Sequence, residues 1–179
     1  MSYFGRINYA LMGKYLVEAN LRADASSRFA KGNRWGYFPS FSAGWRLGEE
    51  DFIRNMNIFD NLKIRASWGK LGNQNIGGYF PYLSVLTQSN PNSYNFNNVL
   101  APGAAVTGLV DHDITWETTA TTDVGLDLGF FNNRLNIESD YFIKNTRDII
   151  VQLPIPSVLG GLTAPYENIG KMKNQGVEV

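Results

Sequence analysis

The 179-residue chain is 44% hydrophobic, which excludes a disordered polymer, and its 16 basic and 16 acidic residues cancel, which excludes the one-signed electrostatic footprint of a nucleic-acid binder. Cysteine is absent, so disulfide staples, thiolate metal sites and cysteine nucleophiles are excluded together. No apolar run, "DIIVQLPIP" included, approaches the roughly 18 residues that a membrane-spanning helix needs.

The opening "MSYFGRINYALMGKY" has no basic segment followed by an apolar stretch and a small-residue cleavage site, so no signal peptide is read there. A first strand is expected over residues 3 to 12, with Tyr3, Ile7, Tyr9 and Leu11 on one face and Arg6 and Asn8 on the other. A tight turn at Gly13 and Lys14 leads to a second strand over 15 to 24. There Tyr15, Val17, Ala19, Leu21 and Ala23 oppose Glu18, Asn20, Arg22 and Asp24. After a polar loop (24 to 36), a third strand is expected over 36 to 47. Tyr37, Phe41, Ala43, Trp45 and Leu47 share its apolar face with Pro39, which cannot donate to a ladder; Phe38, Ser40, Ser42, Gly44 and Arg46 face the other way.

"GEEDFIRNMNIFDN" is long for a turn and is expected to hold a helical turn starting at Glu49. The fourth strand (61 to 71) sets Leu62, Ile64, Ala66 and Trp68 against Lys63, Arg65 and Ser67. A fifth (114 to 130) sets Trp116, Thr118, Ala120, Thr122, Val124, Leu126, Leu128 and Phe130 against Glu117, Asp123 and Asp127. After the tight turn "NNR", a sixth (134 to 149) sets Leu135, Ile137, Ser139, Tyr141 and Ile143 against Asn136, Glu138, Asp140 and Lys144. A seventh starts near Tyr166. The closing "NQGVEV" stops inside an alternating run, so the chain is expected to be a piece of a longer protein. For the parity to hold, residues 72 to 113, with the strand-like "GYFPYLSVLTQ", must form an excursion outside the main sheet.

The residues named on one face of each segment carry no charge, and a protein core or a lipid bilayer would accept them. A soluble all-β carbohydrate-binding or structural module would alternate in the same way. The connections discriminate. Short turns on one side and long loops on the other are the pattern of outer-membrane barrels. The aromatics agree: Tyr15, Trp45 and Phe130 are expected on the apolar face near the short-turn rim, and Tyr3, Tyr37, Trp68 and Trp116 near the long-loop rim. Amphipathic rings favour the two membrane interfaces.

Catalytic readings are weak. The lone histidine lies in "DHD", Asp111 to Asp113, where a general base or a bound cation is conceivable but the spacing of a calcium loop is missing. The glycines from Gly69 to Gly78 lack the Gly-Lys-Ser/Thr ending of a phosphate loop and read as turn glycines. Glu117 and Asp123 would stand roughly 20 Å apart along one strand, too far to share a glycosidic bond. Trp35, Tyr79, Tyr82, Tyr94 and Phe96 are loop aromatics that could stack on sugar rings or dock a lid, against a blander role in loop packing.

"LRADASSRFAKGNRWGYFPSFSAGWRL", "LKIRASWGKLGNQNIG", "ITWETTATTDVGLDLGFFNNRL", "YFIKNTRDII" and "YENIGKMKNQGVEV", in this order and spacing, resemble the C-terminal barrel region of SusC/RagA-type TonB-dependent outer-membrane transporters. The resemblance spans nearly the whole chain apart from residues 79 to 112. It implies an all-β fold: six or seven antiparallel strands of a transmembrane barrel of about 22 strands whose lumen is plugged. It further implies that residues 1–179 are a partial barrel domain, incomplete at both ends and lacking the plug. Implied too are import of oligosaccharides or peptides across the Gram-negative outer membrane, a SusD-like surface lipoprotein and the TonB complex as partners, and lipid around the wall. It implies no enzymatic activity, catalytic residue, metal, cofactor or nucleic acid, and it assigns no substrate-binding residue. Glu18, Arg22, Arg65, Glu117, Asp127 and Asp140 become candidate lumen charges facing a plug or solute. This fragment alone is not expected to transport.

Overall fold

The computed structural model describes residues 1–88 and 92–179; the three residues between them, inside the expected excursion, lie outside the described residues. Strands β1 (Ser2–Leu11), β2 (Tyr15–Ala25), β3 (Trp35–Trp45) and β4 (Asn61–Asn73) come first. Four three-residue strands follow: β5 (Leu86–Gln88), β6 (Tyr94–Phe96), β7 (Val99–Ala101) and β8 (Ala104–Val106). The chain closes with β9 (Glu117–Phe130), β10 (Leu135–Gln152) and β11 (Tyr166–Glu178). One seven-stranded sheet runs β1-β2-β3-β4-β9-β10-β11, antiparallel throughout. The excursion therefore stays outside it. β4 and β9 are neighbours, Asn73 facing Glu117, while β5 pairs with β8 and β6 with β7 in separate two-stranded sheets. Of "GYFPYLSVLTQ" only Leu86–Gln88 is strand.

The tight turns sit at one end. Between β1 and β2 the turn begins a residue earlier than expected, with Met12 and Gly13 both left-handed (φ 52° and 67°) and Lys14 N donating to Leu11 O at 3.0 Å. Between β9 and β10, Phe131, Asn132 and Asn133 all take φ 57°, a conformation that asparagine tolerates better than most residues. The helical turn expected from Glu49 is present as a 3-10 turn, Leu47–Glu49, and a short helix α1, Asp51–Arg54.

Pro39 is accommodated by geometry. β2 pairs with β3 straight through it, Leu21 facing Pro39, but the β3–β4 ladder starts only at Ser40. A residue without an N–H sits where one side of its strand has lost its neighbour.

Among the described residues, no compact core lies behind the apolar face. Val17, Leu21, Phe41 and Ile64 are 53%, 52%, 55% and 39% exposed, and Leu126 is half-buried. They do not converge, which removes the soluble-sandwich reading. The buried core sits instead at the long-loop end, where Phe29, Phe38, Ile76, Ile114 and Trp116 pack together with Ile150 and Tyr166 against them. Two expectations are corrected there. Trp116, expected on the exposed face, is 6% exposed because it precedes β9 and turns into this cluster, 5.2 Å from Phe29 and 5.4 Å from Phe38, its Nε1 donating to Arg34 O at 3.1 Å. Gly69 and Gly72, read as turn glycines, lie within β4. A Cβ on Gly72 would collide with the Phe38 ring, so glycine here makes room for the core rather than a bend. Gly77 alone of that group takes a positive φ, 68°.

Candidate functional site

The sheet's two faces define the site. Cross-strand partners share a face, so the register carries the alternation from strand to strand. One row reads Tyr9, Val17, Ala43 and Ala66, continuing to Val124 and Tyr141. On this face Tyr15 stacks on Trp45 (centroids 6.1 Å) at the short-turn rim, and Tyr3 stacks on Trp35 (6.0 Å) at the long-loop rim near exposed Tyr37. Trp35, expected in a loop, is thus the first residue of β3 and part of the upper belt. Trp68 stacks on Phe41 (6.1 Å), and the next row on its face is Lys70, Ala120, Asn145 and Lys173, so Trp68 marks the upper edge of the apolar band. From Thr122 to Phe130 the band covers about 26 Å of strand, or about 20 Å of height at a tilt near 40°, close to the apolar belt of an outer-membrane barrel.

The opposite face collects the charges. Arg65 on β4 reaches across two strands. Its Nε donates to Asp127 Oδ1 at 2.9 Å and its Nη2 to Asp140 Oδ2 at 2.6 Å, while Nη1 stands 3.5 Å from Asp123 Oδ1. Lys63 Nζ joins Asp127 Oδ2 at 3.3 Å. The guanidinium can lie flat because its cross-strand neighbour is Gly125, where a Cβ would stand 2.6 Å from Arg65 Cζ. Asp140 Oδ1, beneath this layer, is buried without a hydrogen-bond partner among the described residues. Of the six charges singled out, the fold thus unites Arg65, Asp127 and Asp140. It adds Lys63 and Asp123, whose convergence depends on a register between segments that no local pattern displays.

The other three stand apart. Glu18 is 3.8 Å from Arg6 Nε and accepts from Asn20 Nδ2 at 2.7 Å. Arg22 pairs with Asp24 at 2.7 Å. Glu117, at the long-loop end of β9, accepts from Asn73 Nδ2 at 3.3 Å. Between these groups, a concave depression of 960 Å³ is lined on this face by Arg6, Glu18, Arg22, Ser40, Ser67 and Thr121, among others.

The long loops supply the rest. Asp111 Oδ1 accepts from Asp113 N at 2.8 Å, a local turn, and among the described residues no group of three or more His, Cys, Asp or Glu is placed to hold a metal. Of the loop aromatics, Tyr79 lies under the Arg28 guanidinium at 5.1 Å, Tyr82 meets Phe80 edge-on, and Tyr94 and Phe96 pair at 4.7 Å on an exposed hairpin. Asn168 on β11 fastens the end: its side chain accepts from Thr115 N (2.8 Å) and donates to Thr115 O (3.0 Å) and Asp148 O (2.7 Å) at the β10 bulge. Chemically, this is a polar wall of charges of both signs, largely paired and with carboxylates in excess, suited to holding a folded neighbour or a polar solute.

Comparison with known proteins agrees with that geometry. The family described as TonB dependent receptor-like, beta-barrel, matches residues 1–179. The chain is 38% identical over 179 residues to the TonB-dependent receptor SusC of Bacteroides thetaiotaomicron, covering 99% of this chain and 18% of that protein. Among solved structures it superposes on the RagAB peptide importer in the open-open state with a TM-score of 0.84 and 32% identity, over 98% of this chain and 18% of the other. The closed-closed state of the same importer matches with a TM-score of 0.83 at 31% identity, over the same shares. The chain therefore spans under one fifth of the length of these relatives.

Proposed function

The chain belongs to the TonB-dependent receptor family, as a segment of its outer-membrane β-barrel, and from that premise we propose that it walls the conduit of a transporter importing oligosaccharides or peptides. The observation that supports this most directly is the division of the sheet, with an exposed apolar band between two aromatic belts on one face and a paired-charge surface on the other. Lipid requires the first, since every backbone polar group at membrane depth must be satisfied within a closed barrel whose outer surface is apolar. A plug and a hydrated solute suit the second.

On this reading residues 1–179 are one partial barrel domain. The charged face meets the plug and the passing solute, and the long loops meet a SusD-like lipoprotein. Energy comes from the TonB complex through other parts of the receptor. The role is conduction and recognition rather than bond making. The sequence resemblance implies oligosaccharides or peptides, and similarity to the RagAB peptide importer supports the second; both solutes are rich in hydrogen-bonding groups that this face can meet.

The test uses the full-length receptor in its own cells. Uptake of labelled oligosaccharides and peptides is expected to fall to background when the receptor gene is deleted and when the proton gradient is collapsed, and the purified receptor is expected to bring a surface lipoprotein with it in detergent. Unchanged uptake of both classes in the deletion strain, or a folded monomer in plain buffer, would overturn the proposal.

A further inference from the structure

The connection between β3 and β4, residues 46–60, lies on the short-turn side, where the other turns are tight. Its contacts run to the lipid-facing side of the sheet. Glu50 Oε1 accepts from Tyr15 OH at 2.8 Å and from Trp45 Nε1 at 3.1 Å, the two rings of the lower belt, while its Oε2 takes Lys14 Nζ at 2.9 Å. Gly48 presses on the backbone of Leu62, where a Cβ would stand 3.1 Å from Leu62 N, and Leu62, on the apolar face, is 9% exposed. Phe59 packs on Phe130 at 5.2 Å, and Asp60 N donates to Gly129 O at 2.9 Å. The segment is thus held at belt height on the outside of the wall. From there it exposes three large apolar side chains, Phe52, Met56 and Ile58, at 58%, 55% and 57%.

We propose that this connection is an interfacial foot, folded onto the lipid-facing side of the barrel so that Phe52, Met56 and Ile58 seat in the periplasmic leaflet of the outer membrane. Continuity with the apolar band identifies the occupant. The foot adjoins the belt that marks the interface, and its exposed large apolar side chains extend the surface already given to lipid. Short amphipathic elements seat in this way, their apolar side sunk about 5–10 Å into the headgroup and acyl boundary. Charge supplies no attraction to an anionic surface: Glu49, Glu50, Asp51 and Asp60 outnumber Lys14, Arg46 and Arg54 by one. Seating therefore rests on apolar area, and a zwitterionic bilayer suffices. The Glu50 hook sets the height of the foot.

The experiment places a single nitroxide on the full-length receptor, at Phe52→Cys, Met56→Cys or Ile58→Cys, in a background with no other cysteine and in phosphatidylcholine bilayers. Collision with oxygen, which partitions into lipid, is compared with collision with a water-soluble nickel chelate. Val17→Cys on the wall and His112→Cys in a loop are the references. The proposal expects oxygen to dominate severalfold at the three foot sites, as at Val17→Cys, with no change on raising salt. Nickel dominance at the foot while Val17→Cys stays oxygen-dominated would overturn the foot and leave the wall intact. Protection from both reagents would overturn it as well, since the foot would then be covered by protein. Nickel dominance at Val17→Cys would instead strike at the barrel reading itself.

Discussion

Gly125 and Arg65 form one device. The guanidinium bridges Asp127 and Asp140 only because nothing projects from Gly125 beneath it. All four ionic side chains of this contact, Lys63 included, are less than a third exposed, so the pairing is shielded more than a surface ion pair and its disruption leaves carboxylates facing one another. Gly125→Ala should force the guanidinium off Asp140 and destabilise the full-length receptor by about 1–3 kcal/mol. Arg65→Lys should cost about as much, because a point charge cannot serve two carboxylates as the planar fork does. The urea midpoint of the folded receptor in detergent checks both, and a wild-type midpoint in either variant would show the bridge to be incidental. The charges themselves were legible in the sequence as the polar parity of three strands. Their convergence was not, because it depends on β4 pairing with β9 across the whole excursion.

At the scale of elements, two assemblies lock the ends of the sheet. The upper one is the cluster around Phe38 and Trp116, which ties residues 26 to 36 to the segment that enters β9 through contacts such as Asn33 Nδ2 to Ile114 O at 3.4 Å. Phe38→Ala should remove about 3–5 kcal/mol of packing there. Amide exchange should then rise in residues 26 to 36 and 114 to 116 while β2 and β10 keep their protection; unchanged exchange would mean that the cluster collapses around the gap. The sequence placed Trp116 on the wrong surface for a physical reason: strand parity has meaning only inside a strand, and Trp116 lies one residue before β9 begins. Parity does put Phe38 on the polar face, opposite Arg22, but it does not show the space that Gly36, Gly72 and the missing ladder beside Pro39 leave for its ring.

The lower assembly is the Glu50 hook. Hydrogen bonds from Lys14, Trp45 and Tyr15 hold the Glu50 carboxyl down to about 2, from an ordinary value of 4.5. A depressed carboxyl contributes stability that is fully present above 4.5 and is lost as pH falls toward 2. The line shape of a nitroxide at Phe52→Cys should therefore sharpen between those limits as the foot detaches. With Glu50→Gln added it should be mobile at neutral pH and change little on acidification. A line shape indifferent to pH with Glu50 in place would show that the hook does not hold the foot.

For the molecule as a whole, the alternation, the contrast of short turns with long loops and the belts were legible because each is local or repeats with period two. Seven strands, their order and the detachment of the excursion follow from those features. What the long loops pack and where the foot folds were hidden, since both depend on contacts between segments with no shared period. The account's central claim is that acyl chains wet the apolar face. Its most direct test attaches bimane to single cysteines replacing residues 16 to 22 of β2 in the full-length receptor, and compares quenching by brominated phospholipid with quenching by iodide. Strict alternation is predicted, with lipid quenching at Val17, Ala19 and Leu21 and iodide quenching at Glu18, Asn20 and Arg22. Iodide quenching at Val17, Ala19 and Leu21, or no alternation at all, would contradict it.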